Sequence, residues 1–215
     1  MSSERILDFS TLVLLFSTGL LVINRRLNLA IMLVAFQSLI LAFISFLVEQ
    51  ASGLVELYFV VALTLVVKVI GATIILKFVL RRVKNQTERG IIGRGLSTAI
   101  VVGLIMVSYN AVRPLKLPIA IYSPNSLPVA LSMLLIGLFI MISRKKALME
   151  VIGIITIENG LFLVALSTTY GMPLFIEFGI FFDVMVGVIM MGFFAFQINA
   201  IFDTLNIDEL SKLKG

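Results

Sequence analysis

The chain has 215 residues, 60% of them hydrophobic and 13% charged, with a mean hydropathy of +1.14 and a net charge of +5. A soluble domain of this size is closer to half apolar and a quarter charged, so the composition excludes an ordinary water-soluble fold. Cys and His are both absent, which excludes thiol nucleophiles, disulfides, haem and iron–sulfur ligation and the common zinc sites.

A helix needs about 20 apolar residues to cross the hydrocarbon core. Blocks that qualify, in chain order, are 6–23, 27–48, 54–80, 92–112, 125–143, 147–169 and 176–200. The expected fold is therefore all-α, a polytopic membrane protein of about seven transmembrane helices. Only the first block could be a signal peptide, and no small-residue cleavage site follows it. Connections are short, so neighbouring helices should pack antiparallel.

Basic residues lie in short clusters between the apolar blocks, a topology signal and not a nucleic-acid-binding surface. The turns after helices one, three and five carry Arg25, Arg26, Arg81, Arg82, Lys84, Arg89, Arg94, Arg144, Lys145 and Lys146, and the C-terminal tail adds Lys212 and Lys214. Opposite them lie only Arg5, Arg113 and Lys116. Twelve against three places the N-terminus outside and the C-terminus inside the cytoplasmic membrane. Lys77 lies near enough to the inner end of its helix to snorkel.

Three charges fall where lipid would reject them. Lys68 is near the middle of helix three, Glu158 is midway along helix six beside Asn159, and Asp183 is inside helix seven. Each costs about 2.5–3.5 kcal/mol at mid-depth, or on the order of 8–10 kcal/mol together. They should therefore face the bundle interior, a water chain or a partner subunit. Gly179, Asp183 and Gly187 share one helical stripe, and Thr64, Gly71 and Ala72 form a small-residue face around Lys68. Two readings stay open: a proton or ion relay, or a structural pair in which Lys68 pins two helices through Glu158 or Asp183. Glu150, Glu177 and Glu56 lie nearer helix ends, where an interfacial carboxylate is expected. For Glu177, the preceding Gly171 and Pro173 also allow a broken helix start. The ten Met residues form no regular cluster and read as packing residues.

The chain also repeats itself. A unit over 1–80 has two helices joined by a basic turn, then a third helix with a buried charge followed by Gly (Lys68, Gly71). The same order recurs over 125–202, with Asp183 and Gly187. Between them, 81–124 holds a basic cytoplasmic loop, connecting helix four and an outer loop, and 203–215 is a cytoplasmic tail. Such duplication is common in transport proteins.

Two stretches resemble known families. RRLNLAIMLVAFQSL (Arg25 to Leu39) with LTLVVKVIGATIIL (Leu63 to Leu76) resembles the three-helix K-type subunit of respiratory complex I, shared with multisubunit cation/proton antiporters. Where that family carries two buried Glu residues, the first unit has Gln37 and Lys68. GIITIENGLFLVAL with MPLFIEFGIFFDVMVGVIMMG is similar to component E of hydrogenase-4 and related formate hydrogenlyase complexes. In the second unit Asp183 falls on one family acid, and Glu158 about one turn from the other.

The resemblance implies a membrane-arm subunit of a complex I-like energy-converting hydrogenase, with no active site or cofactor of its own. Nickel–iron and iron–sulfur centres would sit in partner hydrogenase subunits, and antiporter-like membrane subunits would be neighbours. Lys68, Glu158 and Asp183 would form part of the polar axis coupling redox chemistry to H⁺ or Na⁺ movement, with Gln37, Asn159, Glu177 and Glu150 auxiliary. The competing functions are a subunit of a multisubunit antiporter or an independent ion transporter, and a structural membrane spacer. No unwound Gly/Pro pair at matching depths marks a transporter's substrate cradle.

The orientation is directly testable because the chain lacks Cys. Arg113→Cys is expected to react with a membrane-impermeant maleimide in intact cells, and Lys145→Cys only after lysis. The opposite pattern would invert the topology.

Overall fold

A computed structural model of the protein describes residues 3–52, 56–82, 87, 90–114, 125–168 and 187. Its elements are α1 (Ser3–Ile23), α2 (Leu27–Ser52), α3 (Glu56–Leu63), a π-helical segment (Thr64–Ala72), α4 (Thr73–Arg82), α5 (Arg94–Val112), α6 (Ser126–Ser143) and α7 (Ala147–Thr168). Among the described residues there is no β-strand, and six helices are long and apolar enough to cross a bilayer. These match the first six expected blocks to within a few residues. The seventh, 176–200, with Glu177 and Asp183, lies outside the described residues apart from position 187.

Helices form here because lipid leaves backbone N–H and C=O groups no other partner. The many Ser and Thr side chains obey the same constraint by bonding to carbonyls one turn back. Ser10 donates to Ile6, Thr18 to Leu14, Ser38 to Val34, Ser45 to Leu41 and Thr156 to Ile152, at 2.7 to 3.2 Å.

The third span differs from expectation in its interior. A single α-helix over 54–80 was the simplest reading. Instead α3 passes into nine π-helical residues and then into α4. Leu63 and Thr73, at the junctions, both keep right-handed helical torsions, so the span is continuous. A π-helix closes each hydrogen bond one residue further along than an α-helix, which widens the turn and shifts the register of the side chains beyond it.

The second span, α2, is the hub. It packs against α1, against every part of the third span and against α7, while α6 packs against α7, α5 and α1. At one end the basic turns after spans one, three and five meet. Lys146 Nζ donates to the Thr87 carbonyl at 2.9 Å, Ile91 N to the Ser143 carbonyl at 3.0 Å, and Arg26 bridges Thr87. Arg144, one of the basic residues that mark the topology, is buried there, and its guanidinium donates to the Val22 carbonyl. At the opposite end Asn125 Nδ2 donates to Asp8 Oδ1 at 3.1 Å and ties α6 to α1. The clustering of expected inner turns at a single end agrees with the alternation of spans read from the charges.

The α6–α7 hairpin is the tightest contact. A Cβ on Gly153 would lie 2.6 Å from Met141 Cγ and 2.9 Å from the Gly137 carbonyl oxygen, and a Cβ on Gly137 would lie 2.9 Å from the Gly153 carbonyl oxygen. Backbone meets backbone there, so neither residue can grow without separating the helices. Gly153→Val is expected to destabilise the protein by about 1–3 kcal/mol, as overpacking does, read as a lower thermal midpoint in detergent. Gly103→Val, at a site with open space around the Cβ position, should leave that midpoint nearly unchanged.

Candidate functional site: a polar layer between two apolar cores

The buried apolar residues form two clusters. One, towards the basic end, includes Leu21, Ile31, Leu76, Ile140 and Ile152; the other, towards the Asp8 end, includes Leu14, Leu41, Met133 and Leu163. Between them, on four different spans, lies a layer of polar side chains. Thr18 of α1, Gln37 of α2 and Asn159 of α7 are fully enclosed, and Lys68 of the π segment and Glu158 of α7 are each 5% exposed. At 1.5 Å per residue, Gln37 and Glu158 lie about 16–18 Å from the basic turns. That is the midplane of a hydrocarbon core about 30 Å thick.

Lys68 Nζ lies 3.0 Å from Glu158 Oε1, an ion pair. The same ammonium approaches Asn159 Oδ1 at 3.5 Å and sits 5.4 Å from the centre of the Phe162 ring, whose face favours a cation. Asn159 Nδ2 faces Gln37 Oε1 at 3.5 Å, Gln37 Nε2 donates to Thr18 Oγ1 at 3.0 Å, and the Thr18 hydroxyl donates to the Leu14 carbonyl at 2.8 Å. Every donor in this series points the same way, from Lys68 towards α1. The dipoles therefore add, and their acceptor ends face the ammonium.

Local structure explains these positions. Thr64, Lys68 and Ala72 are the buried residues of the π segment, so the small-residue face expected around Lys68 is the inward face, with Gly71 half-buried at its edge. A Cβ on Gly71 would approach the Val66 carbonyl at 3.3 Å. On α7, Glu158 and Asn159 follow one another, so their side chains diverge by about 100° around the helix. One faces the third span and the other turns towards α2, and the ammonium bridges both.

Among the described candidates, Lys68, Glu158, Asn159 and Gln37 are thus brought together. Glu150 is half-buried in the first turn of α7, two turns from Glu158 and outside the layer. Glu56 opens α3, as expected for a residue near a helix end. Lys77 is exposed, consistent with snorkelling. One member of the layer, Thr18, carries no signal in the sequence, since a hydroxyl barely alters hydropathy. Outside the layer, Glu49 near the end of α2 is also buried, 6% exposed, with the Tyr58 hydroxyl as hydrogen-bond partner.

Fold and site together define a polytopic all-α membrane protein whose packed interior is crossed at mid-depth by a charged polar layer. In sequence the chain is similar to hydrogenase-4 component E. It is 29% identical to that protein of Escherichia coli strain K12 over 151 residues, 70% of each chain, and equally to that of Shigella flexneri. It is also 30% identical over 118 residues to the uncharacterized protein Rv0085 of Mycobacterium tuberculosis, covering 55% of this chain and 54% of that one. No protein-family profile and no solved structure matches it.

Breaking one side of a buried ion pair leaves a charge without compensation, at a cost of about 3–5 kcal/mol. Lys68→Met and Glu158→Gln are each expected to lower the thermal midpoint in detergent markedly. The double variant should recover most of the loss, giving a coupling energy of about 2 kcal/mol or more in a double-mutant cycle. Additive losses would mean that the two side chains do not act as a pair.

Proposed function

We propose that this chain is a membrane-arm subunit of a hydrogenase-type complex and that its mid-membrane layer belongs to the polar axis coupling redox chemistry to H⁺ or Na⁺ movement. The observation that carries the proposal is the Lys68–Glu158 pair, held 3.0 Å apart among four spans at the depth where charge is most costly. Similarity to hydrogenase-4 component E supports the kind of complex. Nickel–iron and iron–sulfur centres would belong to hydrogenase partners, and antiporter-like membrane subunits would continue the axis on either side.

The chemistry of the layer narrows its role. Only Lys68 and Glu158 can gain or lose a proton there, because amides and a threonine hydroxyl do not titrate in the physiological range. Asn159, Gln37 and Thr18 would act as an oriented dipole chain that supports a charge and reports its loss. Separation of Lys68 from Glu158 would leave a charge in the layer without compensation, and re-pairing would restore it. Asp183 would extend the axis into the seventh span, with Glu177 and Glu150 nearer its ends, and the basic turns would face the cytoplasm.

The close pair also suits a second reading, a structural pin between the third span and α7. The two readings diverge in the assembled complex. Under the coupling proposal, the complexes that assemble with Glu158→Gln or Asp183→Asn show ion translocation per electron transferred, measured in inverted vesicles, reduced by about tenfold or more. Normal coupled turnover in both variants would overturn it. Lower complex yield with unchanged activity per complex would establish the pin.

A further inference from the structure

The basic end of the bundle holds a cavity of about 410 Å³ between the α1–α2 turn, Thr87 and the start of α5. Three arginines, Arg25, Arg26 and Arg94, line it together with the apolar side chains of Ile23, Leu29 and Leu33. Arg26 and Arg94 are exposed and Arg25 is half-buried. Among the described residues none of the three forms an ion pair.

We propose that this cavity binds the phosphate headgroup of an anionic phospholipid. Three like charges converging on one cavity repel each other until an anion joins them. Arg94 adds to the imbalance. It is the first residue of α5, which has no acidic residue in its first turn and no side-chain cap at Gly93, so a cation sits at the positive end of the helix dipole. A planar guanidinium is well matched to phosphate oxygens, which it can bond in pairs.

The apolar wall selects a lipid over free phosphate. Leu29 and Leu33 lie one and two turns below Arg26 on α2, so the wall descends about 10 Å from the arginines towards the bilayer interior. Leu29 and Ile23 are 44% and 43% exposed. A soluble anion would leave that surface unused. A lipid headgroup at the arginines would lay its glycerol and upper acyl chain against it. Arginines at the membrane surface with apolar residues beneath them are the general arrangement for anionic lipid capture. The site is separate from the mid-membrane layer and does not depend on the coupling role proposed above.

The test is thermal unfolding of the delipidated full-length chain in neutral detergent, followed by circular dichroism. Phosphatidylglycerol, phosphatidylcholine and inorganic phosphate are titrated separately. A ligand that binds only the folded state raises the midpoint. Phosphatidylglycerol is expected to raise it saturably, with little response to the other two at equal concentration. The Arg25→Gln/Arg26→Gln/Arg94→Gln variant should need on the order of tenfold more phosphatidylglycerol or above, since each arginine near an anionic surface contributes several-fold. The corresponding triple Lys variant, which keeps the charge but not the paired bonds, should fall between the unaltered chain and the Gln variant, and Arg113→Gln, at the far end, should retain the whole response. If the triple Gln variant does not fold, Arg26→Gln and Arg94→Gln singly should each weaken the response several-fold. An undiminished response in the Gln variants, an equal loss in Arg113→Gln, or an equal effect of phosphatidylcholine or inorganic phosphate would overturn the proposal.

Discussion

The structure is organised by one constraint: an ammonium and a carboxylate must sit at the middle of a bundle whose outside is lipid. Lys68 and Glu158 are both buried there, so each gains most by meeting the other, and the atoms left over find partners among protein side chains. That requirement recruits Asn159, Gln37 and Thr18, and spreads one ion pair into a layer touching four spans. The apolar core is divided as a consequence. Leu and Ile fill the bundle above and below the layer in two separate clusters.

The helices carrying the layer are built to hold it without being uniformly rigid. The α6–α7 hairpin is locked by backbone contact at Gly137 and Gly153, so Glu158 and Asn159 stand on a fixed post. Lys68 stands on π-helical backbone, where the ladder is displaced by one residue and packs less efficiently than α-helix. The pair therefore joins a firm element to one whose hydrogen-bond register is already irregular. Any motion that separates the two charges would be taken up more readily on the Lys68 side.

The basic end follows different physics. Arg26 and Arg94 are exposed there and Arg25 is half-buried, whereas Arg144 is enclosed. Arg144 turns inwards to the Val22 carbonyl and closes the bundle, whereas Arg25, Arg26 and Arg94 gather around a cavity. Residues of one sequence class thus have two structural fates at the same end of the molecule.

Much of this protein is legible in its sequence, and the reason is the solvent. Lipid forces every span to be a long apolar helix, so blocks such as 27–48 and 147–169 announce themselves without tertiary information. Basic clusters announce the turns, and the rarity of buried charge singles out Lys68 and Glu158. Hydropathy cannot register what depends on neighbours. The π segment arises inside a run, Thr64–Ala72, that is apolar apart from Thr64 and Lys68, much like the α-helical spans. Thr18 matters only because Gln37 faces it, and Arg144 is buried against Val22, distant in sequence. That Lys68 meets Glu158, 90 residues away, is a fact of packing. Sequence determined that these charges must be satisfied, and tertiary structure decided with which partner, because the cost of burying a charge is local while its relief is not.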